Sequence, residues 1–247
     1  MLIYVCVPAY ACEATFKNEF FFHQSIKRGI MMSKEIIKDI LEGNEGYHVD
    51  SSVLDSIKKG QSPTITLVTC SDSRVSGHIM NKDMVNQVFH VRNIGNQIEN
   101  NYGSVDYGIH HLKTPILLIL GHTDCGAIKA SQSDFSKESD EIRSELYPLY
   151  FNLKESSKGL DVKETKNVTR LVQANVDKQV KLAMNRYGST NTNFIGAVFD
   201  IHGHMSSQEG RIIITNINGI TDIDRMRDHP LLSELDNSLR DAKVHRV

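Results

Sequence analysis

The sequence predicts an α/β protein: a mostly parallel central β-sheet with flanking helices and an antiparallel edge strand. Three observations carry this. Ile65-Thr66-Leu67-Val68 and Ile116-Leu117-Leu118-Ile119-Leu120 are short β-type apolar runs, the second without polar alternation, as a strand buried on both faces of a parallel sheet requires. Helical spacing from Ser104 to Leu112, through Val105, Ile109 and Leu112, lies between them, so the order strand, helix, strand reads as a βαβ crossover. Two β-rich runs, Phe194 to Ile201 and Arg211 to Ile217, flank a polar loop and form a hairpin-like pair at a sheet edge.

The remaining elements follow along the chain. From Ser33, a candidate N-cap, Ile36, Ile37, Ile40 and Leu41 share one helical face, with Gly43 as the stop. That stripe must pack on something. Ser51 to Lys59 is a second, shorter helix, ended by Gly60 and Pro63. Strand one runs from Ile65 to Thr69, Gln87 to Val91 is a short strand, and Asn96 to Gly103 is polar loop. A helix can start at Gly126, Ser131 to Asp140 is polar loop or frayed helix, and Pro148 argues against a continuous helix from Ile142 to Leu153. Val168, Leu171, Val172, Val176, Val180, Ala183, Met184 and Tyr187 make the strongest helical stripe, closed by Gly188. Leu231, Leu232, Leu235 and Leu239 predict a terminal helix that docks on the domain or on a second subunit.

Composition narrows the function classes. The hydrophobic share of 40% and charged share of 23% suit a soluble globular protein. A net charge of -2, from 28 basic and 30 acidic residues, gives no electrostatic reason for a nucleic-acid or anionic-membrane partner. No apolar run approaches the roughly 20 residues of a membrane span. Residues 32–247 read as a single catalytic α/β domain behind an N-terminal extension, residues 1–31. Ala9-x-Ala11 in that extension resembles a signal-peptide cleavage pattern, but a basic n-region is lacking and Pro8 interrupts the apolar stretch. A start at Met31 or Met32 is the other reading. A cytoplasmic location is expected, with a secreted or periplasmic one if the extension is a signal peptide.

Four cysteines, Cys6, Cys12, Cys70 and Cys125, are too few for a disulfide scaffold. Cys70…His122-x-x-Cys125 instead supplies thiolate and imidazole, the donors zinc favours, from two strand ends. With Cys6 and Cys12 in the extension, no fourth ligand stands at motif spacing, and three ligands favour an open or water-bound site. Both stretches follow strands assigned as parallel, so both lie beyond the carboxyl ends where open α/β sheets bind ligands. Cys125 at a helix start would have its thiolate favoured by the helix dipole. Asp72 and Arg74 form a candidate pair in which Arg74 fixes the carboxylate and leaves an oxygen for metal-bound water. The bland alternatives are a Cys70–Cys125 disulfide and a strand-end turn capped by Asp72. His202-x-His204 could chelate a metal, yet it has no third ligand nearby.

Cys70-Ser71-Asp72-Ser73-Arg74-Val75, Val91-Arg92-Asn93-Ile94-Gly95-Asn96 and Gly121-His122-Thr123-Asp124-Cys125-Gly126, in this order and spacing, resemble the β-class carbonic anhydrase family. The resemblance runs from about Gln61 to Gly219 and includes Asn175-Val176 and Phe199-Asp200. It implies a β-carbonic-anhydrase-like fold and one Zn(2+) per subunit on Cys70, His122 and Cys125, with Asp72 and Arg74 as catalytic dyad. It also implies substrate contacts from Gln61, Phe89, Ile94 and Tyr107, and a homodimer or tetramer whose N-terminal helix packs on the neighbour. Ile94 stands where valine is common in the family, and Asp106-Tyr107-Gly108 where Glu-Tyr-Ala is frequent. The expected reaction is reversible hydration of CO2 to bicarbonate and a proton by zinc-bound hydroxide. Carbonyl sulfide or carbon disulfide hydrolysis on the same scaffold is the nearest alternative, and a non-catalytic zinc-stabilised module that senses bicarbonate is a second.

Overall fold

The computed structural model describes residues 31–80 and 84–247. Most of the N-terminal extension, with both readings placed on it and Cys6 and Cys12, lies outside the described residues. The chain divides into two compact units, Met1–Lys58 and Lys59–Val247.

In the first unit, residues 31–45 are helical (α1) and Ser51–Ile57 form α2. α1 contains Ser33 and runs through Gly43, where a cap and a stop were expected. Gly43 does not adopt the positive φ of a helix-ending glycine, and a glycine inside a helix costs only about 1 kcal/mol. Ile36, Ile37, Ile40 and Leu41 are all at least half exposed. Asp50 caps α2 by accepting from the Ser52 N–H at 2.8 Å.

The second unit holds a sheet of five strands: β1 (Ile65–Cys70), β2 (Val88–Asn93), β3 (Ile116–His122), β4 (Asn193–Asp200) and β5 (Arg211–Ile217), in the order β2-β1-β3-β4-β5. All pairs are parallel except β4 with β5, so the predicted fold class holds. β1 and β3 each run one or two residues further than the apolar runs suggest, and their last residues are Cys70 and His122.

The helices of this unit are α3 (Tyr102–Asp106), α4 (Gly126–Ser131), α5 (Asp140–Leu153), α6 (Thr165–Tyr187), α7 (Ile223–Arg227) and α8 (Asn237–Lys243). α6 buries Val168, Leu171, Val172, Val176, Val180, Ala183 and Tyr187 and lies close on β3 and β4. Two glycines permit this approach. A Cβ at Gly121 would stand 2.7 Å from Val172 Cγ1, and one at Gly196 2.7 Å from Val176 Cγ1. Val68, Cys70, Leu117, Ile119, Phe194 and Val198 join the α6 stripe in the main core. Leu67, Val75, Leu120, Ala197 and Phe199 form a smaller cluster.

Three local expectations are corrected. α5 is continuous through Pro148. An interior proline costs about 3 kcal/mol or more, but Leu146, Leu149 and Leu153 are all buried on this helix, at roughly 1.5–3 kcal/mol each, so packing outweighs the break. The stretch expected as loop from Asn96 contains a 3₁₀ turn, Glu99–Asn101, and leads into α3, which ends in a π-turn over Tyr107–His111. There the Gly108 carbonyl is taken by the Thr114 N–H, and the Leu112 N–H bonds to Tyr107 instead. The terminal helix is broken into α7, a 3₁₀ turn at Pro230–Leu232, and α8. Asp222, His229 and Asp236 each cap a new start; Leu232 is buried, whereas Leu231 and Leu239 stay exposed.

The β4–β5 connection is shaped by Asp200, fully buried, whose carboxylate accepts from the N–H groups of His204, Met205 and Ser206 at 2.8–3.0 Å.

A β-branched valine on a helix moves little, so Gly121→Ala should lower stability by about 1–3 kcal/mol in urea unfolding. Gly103→Ala, where a Cβ meets nothing within 4 Å, should be neutral or slightly stabilising. Equal stability of the two variants would mean that α6 can lift from the sheet.

Candidate metal centre

Cys70, His122 and Cys125 converge beyond the carboxyl ends of β1 and β3. Cys70 closes β1, beside Asn93 of β2 in register, and His122 closes β3 beside Phe199 of β4. Cys125 is the extended N-cap residue of α4. All three are buried, and their ligand atoms lie within 4.8 Å of one another.

The donors fit a tetrahedral soft cation. The sulfurs are 4.0 Å apart and both cysteines are free, far from a disulfide length of about 2.05 Å. Two thiolates on one tetrahedral zinc, each about 2.3 Å from it, would stand about 3.8 Å apart. His122 Nδ1 donates to the Thr123 carbonyl at 3.1 Å. Its buried Nε2 makes no hydrogen bond, so a lone pair faces the cluster. Cys70, accepting from the Cys125 thiol, is pulled down to about 4 against the effect of burial. Cys125 is pushed well above the usual thiol range by its bond to Cys70 and then by burial, which outweighs the lowering expected from its helix-start position.

Asp72 and Arg74 form the pair that their spacing suggests. Arg74 Nε donates to Asp72 Oδ1 at 2.9 Å and Nη2 to Oδ2 at 2.8 Å; the Arg74 N–H adds a bond to Oδ1 at 3.0 Å. These bonds hold the Asp72 carboxyl well below the usual carboxylate range. Asp72 Oδ2 also lies 3.6 Å from His122 Nε2, so the carboxylate faces both its arginine and the cluster. No fourth protein ligand joins the group among the described residues.

Several contributors carried no assigned role in the sequence. Arg92 donates to the carbonyls of Cys70, Asp72 and Val75 at 2.7–3.2 Å, clamping the turn that carries the pair. It stands inside the Val91-to-Asn96 motif, and its signal was an arginine on a short strand beside the ligand strand. Arg74 Nη2 also bonds to the Asp124 carbonyl at 3.1 Å, and Lys129 pairs with the Asp124 carboxylate. His202 and His204 hold no metal-competent group; their Nδ1 atoms bond to the hydroxyls of Thr123 and Thr169.

A cleft of about 370 Å³ opens over Cys70 and Asp72, lined by Ile94, Ala127, Ala130, Ile142 and Leu146, with Glu138 at its edge. Of the four expected substrate contacts, Ile94 lies here. Phe89 pairs with Thr66, four residues before Cys70 and thus about 13 Å down the strand. Tyr107 packs on Phe89 with ring centroids 5.7 Å apart and stacks on His111 at 4.4 Å. Gln61 precedes the amino end of β1 and is exposed. Within one chain, the structure does not bring Gln61, Phe89 or Tyr107 to the cluster.

A mostly parallel sheet with an open Cys-His-Cys group at its strand ends defines an α/β protein with a candidate transition-metal site. The family model described as carbonic anhydrase matches residues 65–210, more than half of the chain, and the chain belongs to this family, in its β class. A carbonic anhydrase of Mycolicibacterium smegmatis is 39% identical over 79 residues, covering 32% of this chain and 38% of that protein. Carbonic anhydrase 2 of Mycobacterium tuberculosis is 34% identical over 103 residues, covering 38% and 50%. The chain thus spans half or less of the length of these curated relatives. Among solved structures, a tetrameric β-carbonic anhydrase of Sordaria macrospora matches with a TM-score of 0.57 at 24% identity, over 78% of this chain and 96% of that one. The Coccomyxa β-carbonic anhydrase matches with 0.57 at 21%, over 79% and 88%. These likenesses show the fold.

The Asp72 carboxyl titrates lower in the folded than in the unfolded chain. The pair's stabilising contribution is therefore complete above about pH 3.9 and is lost as pH falls through the folded value. Arg74→Gln should raise the folded Asp72 pKa toward the unfolded value and so shrink that contribution, as followed by carboxyl NMR on metal-free protein. An unchanged titration would remove Arg74 as the cause.

Proposed function

We propose that the chain is a zinc-dependent carbonic anhydrase that interconverts carbon dioxide with bicarbonate and a proton. The observation that carries this reading is the open three-donor cluster with Asp72, locked by Arg74, 3.6 Å from the free His122 nitrogen. Cys70, His122 and Cys125 would hold the metal. When bound, zinc lowers the pKa of a coordinated water to about 7 and so supplies a nucleophile at neutral pH.

The chain's own residues then orient and exclude. Asp72 stays ionised because Arg74 holds both its oxygens, and Oδ2, which takes a single bond from Arg74, is the atom placed to accept a hydrogen bond from a water beside the cluster and orient it. Arg92 steadies the turn that carries that carboxylate by holding the carbonyls of Cys70, Asp72 and Val75. Ile94, Ala127 and Leu146 give the cleft apolar walls, suited to a small uncharged substrate and poor at retaining bulk water. The dyad favours catalysis over a non-catalytic zinc module, which would need neither carboxylate nor open position.

A substrate role for Gln61, Phe89 and Tyr107 requires a second copy of the chain, since their own cluster is too far away. Two uncovered apolar surfaces support an oligomer: the α1 stripe of Ile36, Ile37, Ile40 and Leu41, and a groove of about 610 Å³ over Ile65, Ile116, Leu118, Ile195 and Ile214. We place the protein in the cytoplasm, where two buried free thiols stay reduced; no helix among the described residues is long and apolar enough to cross a membrane.

Stopped-flow CO2 hydration of the zinc-loaded protein should be fast, and Asp72→Ala should lower it by about 100-fold or more with zinc content unchanged. Sulfide release from carbonyl sulfide or carbon disulfide, with negligible CO2 hydration, would replace the proposed substrate. Co-refolding Asp72→Ala with Gln61→Leu protein should regain part of the activity that both variants lack alone. Failure to regain any would place Gln61 outside the site.

A further inference from the structure

From Gly95 to Ile98 the loop between β2 and α3 is held by neutral groups, while Asn100 further on donates to the Glu145 carboxylate at 3.1 Å. Gly95 and Asn96 turn it with φ of +79° and +48°. Asn93 and Gln97 close it locally: Asn93 Nδ2 donates to the Gln97 carbonyl at 2.6 Å, and Asn93 Oδ1 accepts from the Gln97 N–H at 2.8 Å. Gln97 Nε2 also donates to the Glu145 carbonyl of α5 at 2.9 Å, and a further hold comes from α6, some eighty residues away in the chain. Asn175 Nδ2 donates to the Gly95 carbonyl at 2.9 Å. Gln179 Nε2 donates to Asn175 Oδ1 at 3.2 Å, and Gln179 Oε1 accepts from the Ile98 N–H at 3.0 Å. Both side chains are fully buried. With its oxygen engaged by Gln179, Asn175 can present only its amide hydrogens to Gly95. Leu149 blocks the remaining side, since a Cβ on Gly95 would stand 2.6 Å from its Cδ1.

The loop held in this way borders the cluster. The Ser71 N–H bonds to the Asn93 carbonyl at 2.9 Å, Asn93 lies beside Cys70 in register, and Ile94 walls the cleft together with Cys70 and Asp72. We propose that Asn175 and Gln179 are positioning residues of the metal centre: through Gly95 and Ile98 they hold the loop that abuts the Cys70 end of β1 and set the Ile94 wall. This rests on the reading of Cys70, His122 and Cys125 as metal ligands. A structural tie between helix and loop would use the same bonds, but it would not act on the metal–sulfur bond.

The test uses cobalt(II) and zinc(II) with the full chain. Asn175→Ala should weaken cobalt affinity by about tenfold or more, within the usual range for groups that support a ligand, and should shift the thiolate-to-cobalt charge-transfer band. If Asn175→Ala does not fold, Gln179→Met, which keeps the volume and removes both links, carries the same expectation. Asp177→Ala is the control: it breaks the pairing of the same helix with Arg246 and Asn216 and should lower the melting temperature while leaving band and affinity alone. An Asn175 or Gln179 variant with the wild-type band and an affinity within twofold overturns the inference, as does an equal change in Asp177→Ala. A wild-type chain that takes up neither cobalt nor zinc overturns the metal reading, and this inference with it.

Discussion

Two buried sulfurs 4.0 Å apart beside an imidazole nitrogen with no hydrogen bond set the central constraint of this molecule. Burying thiolate charge without a partner is costly. Nearby cations do not meet the need. Arg74 is committed to Asp72, Lys129 to Asp124, and Arg92 to three backbone carbonyls. Each positive side chain near the cluster is thus bound to oxygen, and the soft donors are left for a soft cation.

The fold serves that gathering. Parallel strands β1 and β3 end side by side, so their last residues meet without either chain segment reversing. The glycines at 121 and 196 bring α6 onto the backbone of β3 and β4, which places Asn175 and Gln179 of that helix within reach of the Gly95–Ile98 loop. A side chain at either glycine would lift α6 and move those amides out of range.

The mostly parallel sheet with its antiparallel edge, the three donors and the Asp72–Arg74 pair were legible because each depends on local pattern: apolar runs, strand-end placement and a two-residue spacing. What was not legible depends on tertiary competition. Pro148 reads as a helix break until the burial of Leu146, Leu149 and Leu153 is known. The leucines after 230 read as one helix because their spacing does not reveal the separate caps at Asp222, His229 and Asp236. Asn175 and Gln179 sat in view, four residues apart in the best apolar stripe, but their partners lie in another segment. Gln61, Phe89 and Tyr107 could be matched by motif, yet only the register of β1 with β2 shows how far they lie from Cys70.

The carboxamide hold on the Gly95 loop has a consequence for operating range. Carboxamides neither gain nor lose protons between mildly acidic and alkaline conditions, and dissolved salt does not screen a buried neutral hydrogen bond as it screens an exposed ion pair. The frame around the cleft should therefore keep its shape while the carboxylate and thiols beside it change charge. The proposed reaction releases a proton, and a loop tied at Gly95 and Ile98 by carboxamides would keep its shape as its surroundings acidify.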